Sequence, residues 1–337
     1  MLTAGCGGSE SSGSSNSDSA SGGGTASTGT ATTGGTTATA DAGSGGKQLI
    51  AFVTNNASDY WTIARIGTEA AQKELPDINL QFIMPADGTA ATQMQQVDGL
   101  IAKGVKGIAI SPVDPKNQTA WLTTIAAKTK LITQDSDAPN SHRIAYIGTD
   151  NHAAGLQVGG LIKQAIPQGG PIMLFVGTRD AQNAHDRETG IRDALKGSNI
   201  QILDVKTDDA DHARAKSNAA DVLVKNQNIA GLVGLWSYNG PAILSALQDA
   251  GKVGKVKIVC FDEEDQTLAG IKSGAIYATV VQQPYQFGYQ GVKLLAQLIK
   301  GDMSGVPKGG QRNIPTQAIT KANLADYQAK LNKLRGR

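Results

Sequence analysis

Residues 90–115 read AATQMQQVDGLIAKGVKGIAISPVDP, and this stretch decides the fold. A helix candidate occupies 90–103, a short strand candidate 107–111, and the polar loop Pro112-Val113-Asp114-Pro115 follows. A strand that is apolar throughout is buried on both faces, and such strands belong to parallel sheets covered by helices. The same alternation runs outward in both directions. Further strand candidates lie at 49–54, 80–84, 131–135 and 144–147, then at 172–176, 202–205, 231–235, 256–261 and 278–282. Between them stand helix candidates such as 61–75, 151–166, 187–195 and 213–225. Two consecutive series of about five β-α units predict an α/β chain with two doubly wound parallel-sheet lobes. No short repeat of solenoid type is present.

The 337 residues suit two domains, and the formal net charge of +2 is close to neutral. Lysines and arginines are scattered along the sequence, so no patch for nucleic acid or for an anionic membrane is indicated. No apolar run is long enough to cross a bilayer. The four histidines and two cysteines stand far apart, which argues against a disulfide framework and against a Cys/His metal site. Cys260 ends an apolar run and reads as a buried structural thiol. Cys6 ends the string Leu2-Thr3-Ala4-Gly5-Cys6, which looks like a bacterial lipobox, where the cysteine is acylated and becomes the mature N-terminus. The basic and apolar regions of an export signal do not precede it, so the expectation is a start placed too late or a trimmed chain. Residues 7–46 are almost entirely Gly, Ser, Thr and Ala. Such a segment cannot offset the entropy of ordering, and reads as a flexible tether with an r.m.s. span of roughly 35 Å. The membrane is thus reached through a lipid anchor only.

In doubly wound sheets, ligands bind beyond the C-terminal ends of the strands. Here those positions hold a consistent set. Asn55 to Trp61 follow the first strand, Pro112 to Pro115 the third, and Asp135-Ser136-Asp137 the fourth. In the second series come Arg179, Asp180, Gln182, Asn183 and Arg187, then Trp236-Ser237-Tyr238-Asn239, then Asp262 to Asp265. Four of the chain's fifteen aromatics, Tyr60, Trp61, Trp236 and Tyr238, fall in these loops. Rings stack on the C–H faces of a pyranose, while carboxylates, amides and a guanidinium meet its hydroxyls. Any one such residue can instead cap a helix, and Asp59, Asp114 and Asn151 sit where caps belong. The coincidence of so many at strand ends favours a binding site for a monosaccharide or polyol.

Other chemistries lack their motifs. There is no Walker A loop, no G-x-S-x-G elbow and no H-E-x-x-H, and Gly22 to Gly24 do not follow a strand. His142, His152, His185 and His212 read as surface histidines. A carboxylate pair could suggest a glycosidase, but here the acids come from strand ends in both lobes, which suits clamping a solute better than flanking one bond. No catalytic residue and no cofactor is expected. A lac-repressor-type regulator would need an N-terminal helix-turn-helix that the first 46 residues cannot form.

From Lys47 to about Thr320 the chain resembles the bacterial ribose/galactose-type periplasmic binding proteins, the type I sugar receptors of ABC importers. The resemblance rests on Ala51 to Asn56 with Tyr60-Trp61, Gln96 to Ile108, Ile110 to Asp114 and Ile132 to Asp137. It continues through Gly148 to Asn151, Arg187 with Gly190-Ile191, Asn239, Phe261-Asp262 and Ala278 to Pro284. It implies stacking by Trp61 and Tyr60, and hydroxyl contacts from Asp135, Arg187, Asn239, Asp262 and Gln282. Asp137 and Asn183 join them by strand-end placement, and Trp236 as a possible replacement for the family's middle-loop aromatic, which matches Ala210. Ribose binders of the family carry an arginine where Ser136 stands, so ribose itself is a poor match. The resemblance further implies hinges near 149–150, 282–283 and 311–313. One lobe would then hold 47–149 and 283–311, the other 150–282 and 312–337. The expected protein is an extracytoplasmic, monomeric receptor that hands its sugar to ABC permease subunits and binds no nucleic acid. Its alternative is a receptor for chemotaxis or quorum signalling with the same fold.

Overall fold

The computed structural model describes residues 46–58 and 60–335. Cys6, nearly all of the tether and the Asp59 cap lie outside these residues.

The first series runs β1 (Gln48–Val53), α1 (Tyr60–Lys73), β2 (Ile78–Ile83), α2 (Ala90–Ala102), β3 (Gly107–Ile110), α3 (Pro115–Ala126), β4 (Lys130–Gln134) and β5 (Ala145–Gly148). The second runs α4 (Asn151–Ala165), β6 (Gly170–Val176), α5 (Gln182–Leu195), β7 (Ile200–Thr207), α6 (His212–Lys225), β8 (Gly231–Gly234), α7 (Asn239–Asp249), β9 (Lys257–Phe261), α8 (Asp265–Ser273) and β10 (Ala278–Val281). The chain then returns through α9 (Pro284–Ile299) and β11 (Gln311–Asn313), and ends with β12 (Gln317–Thr320) and α10 (Leu324–Arg335).

These strands form two six-stranded sheets, ordered β11-β5-β4-β3-β1-β2 and β12-β10-β9-β8-β6-β7. All pairs between named strands are parallel except β12 with β10. The parallel runs β3, β5, β8 and β10 are buried at every residue, as two-faced burial requires. Each sheet carries a core on both faces. Phe52, Ile132 and Phe287 belong to one face of the first sheet, and Val53, Ile110 and Leu122 to the other. In the second lobe, Leu174, Val233 and Phe261 stand opposite Phe175, Leu232 and Ile258. Helices cross closely where glycines meet. A Cβ on Gly67 or Gly288 would overlap backbone across the α1–α9 crossing, and Gly155 and Gly190 play the same part for α4 and α5.

The chain passes between the sheets three times, at Thr149-Asp150, at Gln282-Gln283 and after Asn313. Arg312 and Asn313, expected in the second lobe, belong to the first, because they pair in parallel with Ile147 and Gly148. Two other details differ from expectation. The cap of α4 is Asp150, whose Oδ1 accepts from Ala153 N at 2.9 Å, and this frees the Asn151 side chain for another task. Helix α5 begins at Gln182, five residues before the expected start. Asp114 caps α3 as expected, accepting from Asn117 N.

Candidate functional site

The C-terminal strand ends of the two sheets face one another across a cavity of about 300 Å³, part of it open to solvent. Of the ten residues expected to contact ligand, eight line it: Tyr60, Trp61, Asp135, Asn183, Arg187, Trp236, Asp262 and Gln282.

Asp135 and Asp262 are the first residues beyond β4 and β9, and both have left-handed backbones, with φ of 60° and 68°. Aspartate tolerates this region better than most residues, though at some cost, and such costs concentrate at functional sites. The Asp135 carboxylate accepts from Ser111 Oγ at 2.8 Å and from Tyr60 OH at 3.3 Å. It also accepts from Asn183 Nδ2 at 3.3 Å, a bond that joins the two lobes. Asp262 Oδ1 accepts from Gln282 Nε2 at 3.0 Å. Gln282 in turn accepts from Thr149 Oγ1 at 2.8 Å, so two of the crossing segments are tied together beside the site.

Arg187 is 1 % exposed. Its Nε donates to Asn151 Oδ1 at 2.9 Å and its Nη1 to the Leu235 carbonyl at 2.6 Å, and its guanidinium lies 4.2 Å from the Phe261 ring centre. Asn151, displaced from the capping role, therefore aims the guanidinium. The remaining nitrogen, Nη2, is buried without a partner among the described residues. Burial pushes Asp135 above the usual carboxylate range and Asp262 up to about 6, and the charge of Arg187 offsets part of that push for both. Tyr60 is held well above its ordinary value by burial and by Asp135, so it stays a neutral hydroxyl donor.

Rings wall the cavity from both lobes. Trp61 donates its indole N–H to Asn55 Oδ1 at 3.2 Å, and Trp236 donates to Asn183 Oδ1 at 3.3 Å. A Cβ on Gly177 would overlap the Trp236 ring, which explains a glycine after β6.

Two expected contacts stand elsewhere. Asp137 does not line the cavity: its carboxylate is taken by Arg143, Thr133 and its neighbour's backbone N–H. Asn239 sits behind the wall, fully buried. Its Oδ1 accepts from Trp236 N at 2.9 Å and its Nδ2 donates to Asp208 Oδ2 at 3.1 Å. Asp208 also accepts from Tyr238 OH at 2.5 Å. Burial raises Asp208 to about 6. This carboxylate fixes the 236–239 loop and was absent from the expected set. Asn55, Asn56, Ser58, Ser237 and Tyr238 line the cavity as well. Their signal was their place after β1 and β8.

A family model described as a periplasmic binding protein domain matches residues 50–303. The chain belongs to the periplasmic binding protein domain family. This periplasmic binding protein is 26 % identical over 254 residues to the D-allose-binding periplasmic protein of Escherichia coli, covering 72 % of this chain and 82 % of that one. Among solved structures, it is similar to an ABC transporter solute-binding protein from Burkholderia graminis in complex with D-arabinose. The TM-score is 0.79 at 28 % identity, over 85 % of this chain and 99 % of that one. It is also similar to a chain of the XylFII-LytSN complex, with a TM-score of 0.75 at 27 % identity, over 82 % and 98 % of the two chains. The family is one of binding proteins, and this member is not an enzyme.

Proposed function

We propose that this chain is the monosaccharide receptor of a sugar ABC importer, with the sugar held in the cavity between Trp61 and Trp236. The observation that carries the reading is Arg187, whose buried Nη2 lacks a partner among the described residues, in a cavity also lined by Asp135 and Asp262. A hydroxyl both donates and accepts, so it can meet a carboxylate and a guanidinium at once. The relative named for D-allose and the one solved in complex with D-arabinose support a monosaccharide as the class. Sugar bonded to both lobes stabilises the closed arrangement by its greater affinity for it, and the permease distinguishes closed from open. No group is asked to transfer a proton.

A thermal-shift screen over pentoses, hexoses, inositols and short polyols tests this. A sugar that binds only the folded chain raises its melting temperature, by a margin that grows with concentration over Kd. At least one monosaccharide is expected to do so, and Trp61→Ala is expected to remove the shift. If no compound shifts the wild type and calorimetry detects no heat, the sugar reading fails.

The finer location belongs to the same proposal. Cys6 carries acyl chains, and the segment 7–46 tethers the receptor to the outer face of the membrane. Two or more chains on one cysteine hold a protein stably on a bilayer. Exported protein from cells fed labelled palmitate is expected to carry the label, and Cys6→Ser to lack it. Equal labelling of the two, or none in the wild type, removes the anchor. A second reading, presentation of the bound sugar to a signalling partner, is supported by the likeness to the XylFII-LytSN complex.

A further inference from the structure

Asn55, Asn56 and Trp236, which line the cavity that holds Arg187, also line an adjoining cavity of about 740 Å³, part of it open to solvent. Its walls are the loops after β2 and β3 in the first lobe and after β6 and β7 in the second. These are again C-terminal strand ends, where this architecture places ligands.

Where the two lobes meet at this cavity, both side chains are minimal. Gly88 has φ +60°, and a Cβ on it would stand 3.7 Å from the Ala210 methyl, an ordinary contact. The lobes therefore approach to within about one methyl group of contact here, and neither position sends a longer side chain into the adjoining space. A free monosaccharide in the inner cavity would leave this outer space to water.

The outer walls also set a sign. Asp87, Asp114, Asp180 and Asp209 line them, and no lysine or arginine does among the described residues. Three of these carboxylates have structural duties: Asp87 bonds Thr89 and Thr92, Asp114 caps α3, and Asp209 pairs with Arg214. They do not make a site, but their field opposes an anionic group placed among them.

We infer that the ligand is a substituted sugar: a monosaccharide ring in the inner cavity that carries a neutral extension, as in a glycoside, into the outer one. The inference rests on the sugar-binding reading and deepens it.

Calorimetry with the full chain tests it. The probes are D-ribose, D-allose, D-arabinose, D-glucose, D-galactose and D-xylose, their methyl and phenyl glycosides, and their monophosphates. For a sugar that binds, at least one of its glycosides is expected to bind as tightly or more tightly, and its phosphate about tenfold or more weakly. Val113→Trp and Thr178→Phe fill the outer cavity from opposite lobes. Each is expected to weaken the glycoside by about tenfold more than it weakens the free sugar. Rejection of every glycoside, with the free sugar bound, overturns the inference and leaves the sugar reading standing. So does an equal effect of both filling variants on the two ligand types. A phosphate bound as tightly as the glycoside overturns the charge argument. If neither sugars nor glycosides bind, both readings fall.

Discussion

Arg187→Ala is expected to abolish sugar binding and to cost about 3–5 kcal/mol of stability, the range for removing one partner from a buried set of charges. Arg187 binds α5 to the start of α4 through Asn151 and to the end of β8 through the Leu235 carbonyl. It also covers Phe261, the last residue of β9. Truncation leaves the Asn151 and Leu235 oxygens without their donors and leaves Asp135 and Asp262 buried together without the cation that opposes their burial. Both carboxyls should then rise further and stand protonated near neutral pH, so the site loses acceptors as well as a donor. Arg187→Lys separates the two consequences. It keeps the charge, so most of the stability should survive, but one ammonium cannot serve Asn151, Leu235 and a hydroxyl in a planar fork. Its affinity should still fall by more than about tenfold. Urea unfolding and calorimetry on the three proteins check this. Wild-type affinity in the alanine variant would show that the sugar site lies elsewhere.

The fold was legible because its signal is local. An apolar run of four or five residues such as Gly107–Ile110 or Gly231–Gly234 has few alternatives to a strand buried on both faces. Its C-terminal end then points to the site, which is how Asp135, Trp236 and Asp262 could be named. The misses have physical causes too. Strand β7 lies at the edge of its sheet and spends half its residues on solvent, with Leu203 39 % exposed. Its apolar run therefore looks shorter than Ile200–Thr207, and Asp208, the true post-strand residue, stands three residues beyond the expected strand end at Val205. Asp137 looks equivalent to Asp135 in sequence, but Arg143 lies six residues on and captures it. Nothing in one-dimensional spacing shows which of two nearby carboxylates the left-handed turn at Asp135 leaves beside the cavity. Asn239 faced the same ambiguity: as the first residue of α7, its amide serves Trp236 and Asp208 inside the second lobe.

Asp262→Asn should make the ligand-free protein more stable and a worse receptor. Burial holds the Asp262 carboxyl up to about 6, whereas in the unfolded chain it titrates near about 3.9. Between those values the folded chain binds more protons than the unfolded one, so this group's contribution to stability falls as pH rises through the window. Above about pH 6 the full cost is present, on the order of 1–3 kcal/mol; below about pH 4 it is gone. Asparagine has no such titration. Its side-chain oxygen can still accept from Gln282, and its backbone suits φ of 68° as well as aspartate does. The variant should therefore gain stability at pH 7.5 and match the wild type near pH 4. The site pays for this by exchanging one acceptor oxygen for a donor, which a sugar hydroxyl placed to donate cannot use; affinity should fall by more than about tenfold. Urea unfolding at pH 4, 5.5 and 7.5, with calorimetry at pH 7.5, reads both effects. If the variant keeps the wild-type slope with pH, the titrating group is Asp135, Asp208 or Glu263, which burial also raises, and each can be replaced by its amide in turn. A variant that is less stable at pH 7.5 would mean that the Asp262 carboxylate is satisfied within the ligand-free protein. Stability lost to hold an ionised acid in the cleft would then no longer be part of how this receptor binds.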